Sequence, residues 1–252
     1  LKDKWVGLKN YERLLSDKIF LKAVWNSVKY MIGTCALLIP FPLLFASLLN
    51  SKLMKKPGFF KSIYFLPALT SVVVAGTIFR LIFGEMDTAL ANRVIEFFGH
   101  SPIKWLKGQW TGYFALLLVA CWRWTGVNIL YFLAGLQSIS TDLYEAASID
   151  GASKWQQFKK ISFPLVKPTT VYVLTISIYA GLSMFLESYM LWKGNNSPQN
   201  IGLTIVGYLY RQGIEKRAMG YACAVGLVLL IVVMIVNLIQ LTVTGTFKKE
   251  ER

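Results

Sequence analysis

Between Ala218 and Phe247 the chain carries no charged side chain. A bilayer core about 30 Å thick is crossed by roughly 20 apolar residues in a helix, so a run of this kind reads as a membrane span. Four further regions share the character: Tyr30 to Ser51, Ser62 to Phe79 and Pro168 to Leu186 are uncharged, and Gly108 to Thr141 is interrupted only by Arg123. In lipid every backbone N–H and C=O must be paired within the protein, which runs this long achieve as helices. The ten-residue alternation of a transmembrane barrel does not occur. Composition agrees: 55% of residues are hydrophobic and 16% charged, against about 25% charged in an average soluble domain, and the mean hydropathy is +0.49. The expected fold is an all-α integral membrane protein, one domain over 1–252 with five transmembrane helices at about 27–50, 62–84, 110–136, 168–191 and 219–245.

The net charge of +14 admits nucleic acid, anionic lipid or an anionic ligand. The basic residues are scattered through short loops rather than gathered in one domain, which argues against nucleic acid and for lipid head groups beside the spans. They divide almost evenly between the two sides of such a chain, so the positive-inside bias leaves orientation open, although the Lys-rich loop 52–61 leans toward the cytoplasm. No signal peptide is visible from Leu1, and the chain is expected to be a fragment. Cys35, Cys121 and Cys223 each sit in an apolar run and are expected to be small core residues. His100, beside Ser101 and Pro102, reads as an exposed or capping loop residue. Trp25, Trp110, Trp192 and Tyr221 near span ends read as an interfacial belt, and Arg80 and Lys29 as cations reaching for the surface. No G-x-x-x-x-G-K-[ST], G-x-S-x-G, H-E-x-x-H or carboxylate pair is present, so no catalytic residue, metal site or cofactor is expected in this chain.

One polar interruption stands out, "STDLYEAASIDGASKWQQFKKISFPLVKP" from Ser140 to Pro168. Ser138, Ser140, Thr141 and Asp142 offer helix caps, and Asp142 with Glu145 has capping-box spacing. A helix is expected to about Ile149, then a reversal at Gly151 with positive φ. Ser153 caps a second short helix, and Pro164 and Pro168 mark its end. Leu143, Ile149, Trp155, Phe158 and Ile161 supply apolar contacts, while Ala146 and Ala147 keep one surface flat. The result is a helix-turn-helix at about 139–165, shaped either to fit a partner's groove or to lie on the membrane.

Glu145-Ala146-Ala147, Gly151, Ile161 and Phe163-Pro164 resemble the EAA motif of permease subunits of binding-protein-dependent ABC importers, E-A-A-x3-G-x9-I-x-L-P, with Phe163 in place of the usual Leu. "WVGLKNYERLL" from Trp5, "YFLPALTSVVVAG" from Tyr64, "GLQSISTDLYEAA" from Gly135 and "GYLYRQGIEKRAMGYACAVG" from Gly207 extend the resemblance to carbohydrate permeases of the maltose-permease type, and to the subunit that carries the G-L-x-N-Y lead-in. The resemblance implies a multi-pass bacterial plasma (inner) membrane protein with six spans in the native chain, the first absent here, and a cytoplasmic coupling loop. It implies Glu145, Ala146, Ala147, Gly151, Ile161 and Pro164 as the surface that receives an ATPase. The implied partners are a second homologous permease in a heterodimer, two P-loop ATPase subunits that hold ATP and Mg, an extracytoplasmic solute-binding protein, and a sugar, an oligosaccharide.

Polar groups within spans are costly in lipid and face bundle interiors. Tyr172, Thr175, Tyr179, Ser183 and Glu187 recur within about 120° on a helical wheel, one stripe of hydroxyls, rings and a carboxylate suited to a sugar, or to hydrogen bonding between helices. In the span before the loop Trp124, Asn128 and Tyr131 share a face. Arg123 either pairs with Glu187 or attracts an acidic sugar. The candidate pathway residues are thus Arg123, Trp124, Asn128, Tyr179, Ser183 and Glu187. Gly220, Ala222, Ala224 and Gly226 form a small-residue surface open to a second permease or to packing within the chain.

Two other readings compete with an importer subunit. "TIVGYLY" at Thr204 to Tyr210 is a poor match to a potassium filter, with Leu209 where the second glycine belongs. A secondary transporter driven by an ion gradient predicts helices broken in matching halves; Pro40 and Pro42 are expected to break the first span, without a counterpart elsewhere.

Overall fold

The computed structural model describes residues 5–51, 54 and 56–246. Lys52 and Lys55 of the basic loop, and Lys2, Lys4, Lys248, Lys249 and Arg252 at the chain ends, lie outside those residues. The described chain is helical: α1 Lys9–Ser16, α2 Lys18–Leu38, α3 Pro40–Leu49, α4 Pro57–Leu69, α5 Val72–Ile82, α6 Leu90–Phe97, α7 Gln109–Gln137, α8 Thr141–Ile149, α9 Lys154–Gln157, α10 Phe163–Leu165, α11 Lys167–Leu182, α12 Leu186–Leu191, α13 Ile205–Tyr210 and α14 Met219–Val243. Among the described residues three spans are long and apolar enough to cross a membrane: Lys18–Leu49, Gln109–Gln137 and Met219–Val243. Two bent pairs, α4 with α5 and Lys154–Leu165 with α11, raise the number to five if each is one span.

The first span runs nine residues further toward the N-terminus than expected from charge, because Asp17 caps it. Its Oδ1 accepts from the N–H of Ile19 at 2.8 Å and of Phe20 at 3.2 Å. The two prolines interrupt the helix as expected, at Ile39 between α2 and α3, but the span continues through Leu49. Pro42 has no N–H for the carbonyl of Leu38, and the Asn128 side-chain amide supplies the missing donor at 2.8 Å.

The expected span 62–84 is instead two helices at 93°. Pro67 weakens the end of α4, Thr70 is extended, and Ser71 Oγ caps α5 by accepting from Val73 N–H. The expected span 168–191 likewise stops at Leu182 and resumes at Leu186. Phe185 is non-helical, with φ −144°, and the Thr204 hydroxyl donates to the carbonyl of Met184 in the gap at 2.7 Å. These interruptions leave irregular backbone paired rather than bare, as lipid demands.

The chain divides into two units. The first holds residues up to Gly33, 71–119 and 178–239. Its core gathers Leu14, Phe20, Ala23, Leu203, Ile205, Tyr208, Tyr221 and Val225. There the Tyr208 hydroxyl donates to Asp17 Oδ2 at 2.6 Å and lies 3.1 Å from the Tyr221 hydroxyl, and the Arg13 guanidinium sits 4.5 Å from the Tyr221 ring centre. Tyr221 is therefore a core residue and not part of the belt; Trp192 too is committed inside the unit, its Nε1–H donating to the Leu106 carbonyl. Trp25 and Trp110 are exposed, as a belt requires. Arg80 bonds the carbonyl of Met190 at 3.4 Å instead of reaching for the surface. Ala222 and Ala224 are buried, which assigns them to packing within the chain, while Cys223 between them is exposed and not in the core.

The second unit holds 34–70, 120–177 and the chain from Gln240 onward. Its core joins Leu43, Ala46 and Leu49 of α3, Ile129, Phe132, Leu133 and Leu136 of α7, and Val166 with Val173 around α11. Helices in lipid gain little from hydrophobicity against one another and rely on close packing. Gly126 of α7 provides it: a Cβ there would lie 1.8 Å from the backbone carbonyl oxygen of Tyr64 on α4.

Candidate functional site

The interruption at 139–165 folds as a helix, a turn and a second helical arm. Ser140, not Asp142, is the N-cap of α8; its Oγ accepts from Asp142 N–H at 3.3 Å. The helix ends where expected, at Ile149, in a Schellman turn: Gly151 N–H bonds Ser148 O at 3.2 Å and Ala152 N–H bonds Ala147 O at 2.9 Å. Gly151 has φ +77°, the left-handed conformation that only glycine adopts without cost. Ser153 then caps α9 in a complete capping box with Gln156. One π-helical turn, Phe158–Ser162, carries the chain into α10, where Pro164 stands in the first turn. α11 departs at 63°.

Glu145 and Ala146 are exposed on α8, Ala147 and Ile161 are half-buried, and Pro164 is exposed. Apolar side chains accompany them: Ile149 is 87% and Trp155 66% exposed. Trp155 is braced from behind by Phe158, the rings stacked with centroids 5.6 Å apart. Exposed carboxylate, small residues and large apolar groups on one short loop form a surface fit for a protein partner.

Four residues that sequence reasoning missed tie the two arms together. The Gln157 amide nitrogen donates to Ser148 Oγ at 2.8 Å and to Ala152 O at 3.2 Å, and its oxygen accepts from Lys154 Nζ at 3.1 Å. Ser148 Oγ donates in turn to Tyr144 O at 2.7 Å, and the hydroxyls of Tyr144 and Ser162 are 2.9 Å apart. Spacings of nine and eighteen residues have no local signature, so only the fold reveals them.

The pathway candidates fall into two groups. In the second unit Arg123 is half-buried with its guanidinium 5.2 Å from the Trp124 ring centre, and Trp124 is exposed. Asn128 is buried and occupied with Leu38. Tyr131 of α7 and Tyr172 of α11 are exposed and meet edge to face, with centroids 5.5 Å apart. Thr175 does what the helix-bonding alternative describes, with a 3.0 Å hydrogen bond to Gln240 Oε1. In the first unit Tyr179 is exposed on α11, Ser183 lies past its end, and half-buried Glu187 opens α12. The stripe is thus carried by one helix only through Tyr179; the break at Leu182 removes Ser183 and Glu187 from it. Arg123 and Glu187 belong to different units.

Comparison with known proteins agrees with this anatomy. The family model for the binding-protein-dependent transport system inner membrane component matches residues 37–244. The chain is 56% identical over 246 residues to the arabinooligosaccharides transport system permease protein AraP of Bacillus subtilis (strain 168), covering 98% of this chain and 78% of that one. It is 30% identical to the lactose transport system permease protein LacF of Rhizobium radiobacter, covering 94% of this chain and 80% of LacF. In fold it resembles the crystal structure of a bacterial ABC transporter involved in import of the acidic polysaccharide alginate, with TM-score 0.88 and 23% identity over 98% of this chain and 86% of that one. A helical, multi-pass chain with an EAA-patterned loop, matched by that model over most of its length, belongs to the family of binding-protein-dependent transport system inner membrane components, the permease subunits of ABC importers.

Proposed function

We propose that this chain is one permease of an ATP-driven importer for an oligosaccharide, and that loop 139–165 is where ATP hydrolysis on partner subunits is converted into movement of the spans. The observation that carries the reading is the loop itself: α8 presents Glu145 and Ala146 to solvent, and the φ +77° turn at Gly151 returns the chain toward α11. The partners in this reading are a second, homologous permease, two P-loop ATPases holding ATP and Mg, and an external solute-binding protein that delivers the sugar. Orientation follows, with the loop in the cytoplasm.

The relatives named for arabinooligosaccharides and lactose support a sugar as the cargo, an oligosaccharide in the first case. The exposed rings and hydroxyls of Trp124, Tyr131, Tyr172 and Tyr179 supply what a sugar needs, aromatic faces for C–H surfaces and hydrogen-bond partners for hydroxyls. Arg123, half-buried against Trp124, and Glu187 are the ionisable groups of the same reading, with Ser183 beside the break.

Affinity purification from the native membrane in mild detergent tests it. The expected result is recovery of a second permease and a P-loop ATPase, with the ATPase weakly held or lost in a Glu145 variant or in Gly151→Val. Recovery of this chain alone, still transporting under an ion gradient, would sink the proposal and favour a secondary transporter.

A further inference from the structure

We infer that Gln157 is the positioning residue that makes the coupling loop a lever, by locking the partner-facing helix α8 to the arm that leads into α11. This rests on the coupling role proposed for the loop. A two-helix hairpin joined at one glycine is a hinge unless something bridges its arms, and a hinge absorbs a push instead of passing it on. Here the bridge is a buried amide: Gln157 is 4% exposed, and its nitrogen reaches across the turn to Ser148 Oγ and Ala152 O. Ser148 extends the bond into α8 through Tyr144 O, and the Tyr144 hydroxyl closes a second bridge to buried Ser162 in the π-helical turn. Two tethers at separate points along α8 suppress both opening and twisting of the hairpin.

Beyond Ser162 the arm is anchored, since Val166 is fully buried in the core of its unit and its carbonyl accepts from Thr170 N–H in the first turn of α11. A displacement of α8 therefore passes through Gln157 to α9, the π-helical turn and α11. None of Glu145, Ala146, Ala147 or Gly151 bonds Gln157 through its side chain, so docking and transmission are separable.

The test uses the complete importer in proteoliposomes with its solute-binding protein. In Gln157→Ala, and in Gln157→Glu, which keeps the length and the acceptor but loses the N–H donor, the ATPase is expected to stay bound and to hydrolyse ATP. Sugar transported per ATP is expected to fall about fivefold or more, the range of ordinary coupling free energies. Ser148→Ala, which removes one hydroxyl, is expected to show a smaller fall of the same kind. Nitroxide pairs at Ile149 and Trp155, both exposed, are expected to give a broader distance distribution in Gln157→Ala. An unchanged transport-to-ATP ratio would overturn the lever. So would loss of the ATPase from both Gln157→Glu and Ser148→Ala, which would place these residues in docking or folding. If instead the wild-type chain holds no ATPase, the coupling role itself fails, a result distinct from either.

Discussion

At the scale of single residues, Gly151 and Asn128 make opposite kinds of prediction. A Cβ at Gly151 meets nothing within 4 Å, so the cost of replacing it is conformational alone, about 1–2 kcal/mol for an L-residue held left-handed and more for a β-branched one. Gly151→Val is expected to weaken ATPase retention while the spans insert normally, and Gly151→Asn, which tolerates this conformation, to retain most of it; pull-down from membranes distinguishes them. Asn128→Leu strands the Leu38 carbonyl inside the protein, a loss of about 1–3 kcal/mol, to be read as a lower Tm in detergent. A fall in transport with Tm unchanged would show that Asn128 serves the pathway rather than the first span. The turn glycine was legible because one conformation excludes other residues. The partner of Asn128 was not, since it lies ninety residues away at a carbonyl orphaned by Pro42. Likewise the capping-box spacing of Asp142 and Glu145 pointed two residues too far, while Ser140 took the cap.

At the scale of elements, hydropathy marked apolar stretches where the described residues form three spans and two bent helix pairs, but not the shape of each. Loop-to-loop limits held for α7, expected at about 110–136 and found at Gln109–Gln137, because nothing in it breaks the hydrogen-bond ladder. At the α4–α5 bend Ser71 caps α5 locally by accepting from Val73 N–H, whereas the gap between α11 and α12 depends on the Thr204 hydroxyl donating to the Met184 carbonyl twenty residues away, a tertiary event that an uncharged run conceals. Close approach is similarly hidden: Gly126→Ala is expected to push α4 off α7, since the obstacle is the Tyr64 backbone and not a movable side chain. Overpacking of this sort costs about 1–3 kcal/mol, seen as reduced yield and Tm together. The start of α2 responds to acid. Burial pushes Asp17 up, but the Tyr208 hydroxyl, the N–H groups of Ile19 and Phe20 and the Arg13 charge outweigh it and hold the carboxyl below its usual 3.8. A lowered folded value contributes stability above the unfolded pKa that is lost as pH falls through the folded one. Thermal melts below about pH 4 are therefore expected to fall less steeply for Asp17→Asn, which keeps the cap but carries no charge.

At the scale of the whole molecule, the deciding question is where the energy for transport originates. The chain has spans, a surface loop with a rigid turn, and aromatic faces with hydroxyls, yet no G-x-x-x-x-G-K-[ST] cradle for a nucleotide triphosphate. A secondary transporter with this inventory would draw on an ion gradient through its own broken helices, and the structure does contain two bent pairs. The bends alone do not separate the two mechanisms; in the proposed reading the loop does, because a gradient-driven carrier has no use for a helix that presents Glu145 and Ala146 to solvent and is clamped to the foot of a span. Inside-out and right-side-out vesicles resolve it. With the binding protein and sugar outside, uptake is expected to require ATP on the loop side and to persist when ionophores collapse every gradient. Purified alone in nanodiscs, the chain is expected to hydrolyse no ATP. Uptake abolished by ionophores at constant ATP would mean that the loop is a membrane-surface hairpin after all, and that the energy enters through the bends.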